Sequence, residues 1–201
     1  MADRPPNPRL TDRFRQALDY AFKLHACQVR KGSGVPYVSH LLGVAGLVLE
    51  DGGDEDEAIA ALLHDAVEDQ GGQATLAAIR DRFGDRVAEI VLGCSDTDQT
   101  PKPPWEERKR AYLDRLRSAG PSVLKVSLAD KIHNARDIII ASSSGGPDFW
   151  TRFRGGKDGT LWYFRELVGV FRERRSDPFV DELARAVLEL EALAARQPPG
   201  E

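Results

Sequence analysis

Cysteine is scarce in this sequence. The 201 residues hold only Cys27 and Cys94, with neither the short repeated spacing of a thiolate zinc site nor the C-x-x-C of a redox centre. A disulfide scaffold and a cysteine-ligated structural metal are therefore excluded, and a reducing compartment is implied. Positive charge is not in excess either: 28 Lys and Arg stand against 32 Asp and Glu, a net −4. A general nucleic-acid binder needs a basic surface that displaces counterions, so any phosphorylated ligand must be met here by local cations. No apolar run approaches the roughly 20 residues needed to span a bilayer. The stretch Met1 to Pro8 has no signal-like apolar core. We expect a soluble cytoplasmic protein with no membrane or nucleic-acid partner. Strand-like alternation and internal repeats are also missing, which leaves an all-α chain, most simply one domain over 10–195 between flexible ends at 1–9 and 196–201.

What is present is helical periodicity broken by glycine and proline. Thr11 is an N-cap for a helix carrying Phe14, Ala17, Leu18, Ala21 and Phe22 to about Val29. Arg30-Lys31-Gly32-Ser33-Gly34-Val35-Pro36-Tyr37 then makes a loop with two cations at its entrance. Ser39 and His40 open a second helix, ended by Gly52-Gly53. A third, favoured at its start by Asp54 to Glu57, runs through Asp69 to the stop at Gly71-Gly72. Two scaffold helices follow, then a polar loop from Ser95 to Trp105 and a helix over 106–118 whose Arg108-Lys109-Arg110 reads as a solvated face. A long helix from Gly120-Pro121 carries Asp130, Asn134 and Asp137 at i, i+4 and i+7, on one face. After the break at 142–147 and an aromatic, basic, Gly-rich segment at 149–159, two helices close the chain.

The stretch Ile59 to Asp69 holds the most chemistry. Ile59, Leu62, Leu63, Ala66 and Val67 take the spacing of a core face, while His64, Asp65, Glu68 and Asp69 at i, i+1, i+4 and i+5 form a second stripe. Alone, such a stripe is a solvated face. With His40 and Asp130 it becomes two His and two Asp from three helices, a set suited to octahedral N/O ligation of a divalent ion such as Mn2+. A water on such an ion would lose a proton near neutral pH. Glu68, one turn beyond His64, could orient that water or move its proton.

These residues, in order, resemble the H…HD…D signature of the HD phosphohydrolase superfamily. More narrowly, Arg30-Lys-Gly-Ser-Gly-Val-Pro-Tyr-Val-Ser-His40, Leu63-His-Asp-Ala-Val-Glu-Asp69 and Leu128-Ala-Asp-Lys-Ile-His-Asn-Ala-Arg136 are similar to the hydrolase domain of the RelA/SpoT family, over roughly residues 10 to 175. With no synthetase or regulatory region, the chain resembles the small alarmone hydrolases. The resemblance implies an HD helical bundle and Mn2+-dependent removal of pyrophosphate from the 3′ position of guanosine tetra- and pentaphosphate. By position it makes His40, His64, Asp65 and Asp130 the metal ligands, Glu68 and Asp69 the water-activating pair, and Asn134 their helper. Arg30, Lys31, Tyr37 and Ser39 then resemble the substrate loop, with Lys131, Trp162 and Tyr163 as further substrate contacts.

Two departures stand out. Leu41 follows His40 where the family usually has proline, and the segments 98–105 and 142–159 match the better-known hydrolases poorly. Alternative readings are another HD nucleotide phosphohydrolase, such as a nucleotidase or a 2′-phosphatase of the reduced phosphorylated nicotinamide dinucleotide, and a non-catalytic alarmone-binding regulator. The retained Glu68-Asp69 pair argues against the regulator, since binding alone needs no water activator. No feature of the sequence specifies an oligomeric state.

Overall fold

The computed structural model describes residues 10–30, 33–97, 101–143 and 149–196. Its elements are α1 (Asp12–Leu24), α2 (Val38–Glu50), α3 (Glu55–Leu63), α4 (Ala66–Asp69), α5 (Gly72–Phe83), α6 (Asp85–Cys94), α7 (Trp105–Ser118), α8 (Pro121–Ser143), a 3-10 turn (Phe149–Arg152), α9 (Gly156–Arg174) and α10 (Pro178–Arg196). Among the described residues the only β pairing is an isolated antiparallel bridge between Val29 and Pro36. No described helix is long and apolar enough to cross a membrane.

α3 is the buried element. From Ala58 to Leu63 its residues have no solvent exposure, because α1, α2, α6 and α8 surround it. A helix apolar on all sides is stable only in such a central place. Its start is fixed by a capping box: Asp54 Oδ1 accepts from the Glu57 amide and Glu57 Oε2 from the Asp54 amide, both at 3.0 Å. α8 lies alongside α2, α3, α6 and α10, and Leu128 and Ile132 join Leu41, Ile59 and Leu62 in one continuous apolar core. α9 packs on α7 and α10 and closes the far side.

Two boundaries differ from the sequence reading, and both shape the site. α1 ends at Leu24 rather than near Val29. Beyond it the chain is captured by the bridge: the Tyr37 amide donates to the Gln28 carbonyl (2.9 Å) and the Arg30 amide to the Val35 carbonyl (2.8 Å). These bonds cannot coexist with a helix through Val29, and they pin Arg30 and Tyr37 at the base of the basic loop. Lys31 and Gly32 lie outside the described residues.

The second difference is in the His64 stretch. The expected single helix to Asp69 is broken at His64-Asp65, between α3 and the one-turn α4. The imidazole Nδ1 of His64 donates to the Ala61 carbonyl at 2.8 Å, competing for a backbone acceptor of the last turn. Neighbouring side chains on a regular helix diverge by about 100°. The break instead lets His64 Nε2 and Asp65 Oδ2 meet at 3.0 Å.

Candidate metal centre and cavity

Four side chains from α2, the α3–α4 break and α8 converge on one point. His40 Nε2 lies 3.6 Å from Asp65 Oδ2 and 3.3 Å from Asp130 Oδ1, while His64 Nε2 lies 3.0 Å and 3.6 Å from the same two oxygens. The ligand atoms of His40, His64 and Asp65 are all within 4.8 Å of one another. Both imidazoles are essentially fully buried, yet neither Nε2 has a hydrogen-bond partner. Orphaned buried nitrogens are costly unless something else satisfies them. The Nδ1–H bond of His64 to Ala61 makes Nε2 the nitrogen that a metal would meet: burial is overcome by Asp65 and Asp130, which raise the His64 pKa, and a cation would displace the Nε2 proton to take up its lone pair. Two imidazoles and two carboxylates facing one another therefore fit a divalent cation.

The carboxylates are held in their ionised form. Burial works against the Asp65 anion, but with no cation between them a protonated His64 and hydrogen bonds from His64 and His40 outweigh it and keep its pKa well below the usual range; a divalent ion would supply that positive charge in place of the imidazole proton. For Asp130 burial is likewise overcome, chiefly by Lys131, whose ammonium lies 2.5 Å from Oδ2. Asn134 donates to Asp130 Oδ1 at 2.5 Å. Tyr37 donates its hydroxyl to Asp65 Oδ2 at 2.5 Å, and burial followed by the Asp65 charge raises its pKa, so it remains a phenol. Each carboxylate of the cluster is thus oriented by neutral or cationic donors.

Two members of the cluster, Asp65 and Asp130, line a cavity of about 890 Å3, large enough for a nucleotide. Glu68 and Asp69 open onto it from α4. Lys102 binds Glu68 Oε1 at 2.8 Å, and the Asp96 amide reaches Oε2 at 3.3 Å. Gln28 donates to Asp69 Oδ2 at 2.8 Å; burial, then the Asp65 charge, raises the Asp69 pKa. Arg30 bonds Asn134 Oδ1 and pairs with Asp137 Oδ2, both at 2.6 Å, with its guanidinium 5.4 Å from the centre of the Tyr37 ring. Arg30, Tyr37, Ser39, Lys131 and Tyr163 all line the cavity. Trp162 is not part of that lining: it packs edge-on against Trp105, with the Arg110 guanidinium over its ring.

Part of the site eluded the sequence reading. Arg108 and Lys109 are not a solvated face. Arg108 is buried and bonded to Asp96 Oδ2, and Lys109 Nζ lies 3.1 Å from the same oxygen and 4.9 Å from the centre of the Tyr163 ring. Of the three basic residues only Arg110 is exposed, paired with Glu106. A signal for this existed: Arg108 and Lys109 lie four residues before Tyr112 and Leu113, on the buried stripe of α7. Asp96, in a stretch that reads simply as polar loop, is only 7% exposed and ties that cation pair to Glu68. His133, whose Nδ1 is 3.0 Å from His40 Nδ1, shares the Asp130 face of α8 at i+3. Burial, followed by His40, pushes its pKa down to about 4. Nothing in the spacing marks Gln28, because its contact depends on the early end of α1.

Comparison with known proteins agrees with this geometry. The family model described as "HD domain" matches residues 17–149. The chain is similar to human guanosine-3′,5′-bis(diphosphate) 3′-pyrophosphohydrolase MESH1, 35% identical over 142 residues that cover 69% of this chain and 74% of MESH1. The Xenopus tropicalis MESH1 is 38% identical over 133 residues, 65% of this chain and 72% of that protein. Among solved structures, a protein of Listeria monocytogenes EGD-e superposes with a TM-score of 0.66 at 34% identity, covering 79% of this chain and 99% of its own. A metazoan ortholog of SpoT shares the fold with a TM-score of 0.71 at 23% identity, covering 96% and 99%. With a domain model matching more than half of its length and a one-third-identical relative covered over most of its own, the chain belongs to the HD-domain family, alongside MESH1.

Proposed function

We propose that the protein is a metal-dependent pyrophosphohydrolase acting on guanosine 3′,5′-bis(diphosphate) and its 5′-triphosphate analogue, releasing the 3′ pyrophosphate. The observation that carries the reading is the pair of orphaned His Nε2 atoms facing two carboxylates of a cation-lined cavity. The activity named for the one-third-identical MESH1 relatives supports the choice of substrate. Free thiols at Cys27 and Cys94 fit a reducing compartment such as the cytoplasm.

In this reading His40, His64, Asp65 and Asp130 hold one divalent ion, for which Mn2+ suits the mixed imidazole and carboxylate set. When bound, that ion supplies Lewis acidity, polarising a phosphoryl oxygen and acidifying a water. Asp69 and Glu68 take the proton of the attacking water; burial keeps Asp69 more basic than an ordinary aspartate, as a general base requires. Attack falls on the phosphorus attached to the ribose 3′ oxygen. The P–O bond to the sugar breaks, the 3′ oxygen takes a proton and becomes the hydroxyl, and pyrophosphate leaves as one unit. Lys131 and Lys109, both lining the cavity, stabilise charge growing on the phosphoryl oxygens. Asn134 holds Asp130 in place and meets Arg30, which together with Tyr37 borders the nucleotide.

The reading is tested by a nucleotide panel with Mn2+, resolving products by anion-exchange chromatography. Guanosine 3′,5′-bis(diphosphate) should give the 5′-diphosphate and pyrophosphate. Stepwise orthophosphate release, or preference for a deoxynucleotide or for the phosphorylated nicotinamide dinucleotide, would overturn the substrate assignment while leaving the metal centre intact.

A further inference from the structure

His40 has two ring nitrogens and both are committed. Nε2 faces the carboxylates, while Nδ1 lies 3.0 Å from Nδ1 of His133, the rings meeting edge to face at 70°. Two bare nitrogens at that distance would set lone pair against lone pair, so one of them carries a hydrogen. If His133 donated, His40 would be the acceptor at Nδ1, its hydrogen would sit on Nε2, and it could not ligate an ion. If His40 donates, its Nε2 lone pair points at the cluster. The protonation pattern of His133 thus selects the tautomer of His40, the task an outer hydrogen-bond partner performs for a metal-binding histidine.

The approach of His133 depends on one position of α2. Gly43 lies one turn beyond His40, and a Cβ placed on it would overlap the His133 ring at Cδ2 and Nε2. Any other residue at 43 would drive the ring off its seat. Asp137, one turn further along α8, lies 3.6 Å from His133 Nδ1, too far for a hydrogen bond, and its carboxylate is already paired with Arg30.

We infer that His133 is a positioning residue of the metal centre: it accepts the Nδ1 hydrogen of His40 and so fixes His40 as an Nε2 ligand, in a seat that Gly43 keeps open. The inference rests on the metal-centre reading above. The test is calorimetric titration of Mn2+ alone into the metal-stripped protein and three variants, each checked for fold by its melting curve. His133→Phe keeps the ring volume without an acceptor, and Gly43→Ala keeps every polar group but displaces the ring. Both should weaken Mn2+ binding by roughly 10- to 100-fold, the usual cost of losing such a partner. His133→Asn, whose Oδ1 can take the place of Nδ1, should stay within a few-fold of the parent. Parental affinity in His133→Phe, or an Asn variant as weak as Phe, overturns the inference even if Gly43→Ala fails to fold. Parental affinity in a folded Gly43→Ala removes the glycine from it. A parent that binds no Mn2+ would instead sink the metal-centre reading itself.

Discussion

Gln28 donates its side-chain amide to Asp69 Oδ2 at 2.8 Å, joining the turn after α1 to the single helical turn that carries the proposed base. Its own oxygen is held from two sides, by Gln70 Nε2 at 2.6 Å and by His25 Nδ1 at 2.7 Å, so the amide has one orientation. A hydrogen bond to a charged group contributes about 1.5–3 kcal/mol. Gln28→Leu should therefore lower kcat by roughly tenfold or more. Steady-state kinetics with guanosine 3′,5′-bis(diphosphate) decides this, and an unaltered kcat would detach Asp69 from the reaction.

Glu68→Gln and Asp69→Asn probe the proton transfer itself. Each amide is nearly isosteric and cannot accept the proton. We expect the more important of the two to lose about a hundredfold or more in kcat while metal content stays constant. Two fully active variants would show that neither carboxylate moves a proton.

Removal of Asp130 or His64 tests the ligand set. Replacing either by alanine should abolish stoichiometric retention of the ion, as read by atomic emission. Retention of one ion per chain in both variants would place the metal elsewhere.

Asp96 couples stability to the site. Its carboxylate is buried against Arg108 and Lys109, and its backbone carbonyl accepts from Arg115 at 2.8 Å. Breaking a buried pair by deleting one partner costs about 3–5 kcal/mol, because the other charge is left behind. Asp96→Ala should lose stability on that scale in urea denaturation, whereas Arg110→Ala, on the exposed side of the same helix, should lose less than about 1 kcal/mol.

The two thiols should separate cleanly by reactivity. Cys27 is exposed, whereas burial pushes the Cys94 thiol up to about 11. Only the thiolate attacks a disulfide reagent, so at pH 8 about one Cys94 in a thousand is competent. Its reaction rate should rise about tenfold per pH unit towards 11. Equal rates for both thiols at pH 8 would show that Cys94 is not shielded.

Helix periodicity and the H…HD…D spacing made much of this molecule legible in advance. The core stripe of α3, its acidic start and the shared face of Asp130 and Asn134 all follow from local rules that need only nearby residues. The parts that were not legible depend on long-range competition. α1 stops early because the chain turns after it, the Gln28 amide reaching the His25 carbonyl, and Val29 enters an extended bridge with Pro36, while at His64 an imidazole competes for a backbone acceptor of the last turn of α3. Arg108 and Lys109 were read by charge, although their spacing to Tyr112 and Leu113 already placed them inward. Trp162 and Tyr163 were both carried over from the family resemblance, but adjacent helical residues point apart, and of the two only Tyr163 lines the cavity.

The central claim is water attack at the phosphorus carrying the ribose 3′ oxygen, and isotopic oxygen tests it most directly. Hydrolysis of guanosine 3′,5′-bis(diphosphate) in 18O-enriched water with Mn2+, followed by mass spectrometry, should place one labelled oxygen in the pyrophosphate and none in the guanosine 5′-diphosphate. Label in the nucleoside diphosphate, or in free orthophosphate released before pyrophosphate forms, would contradict the account.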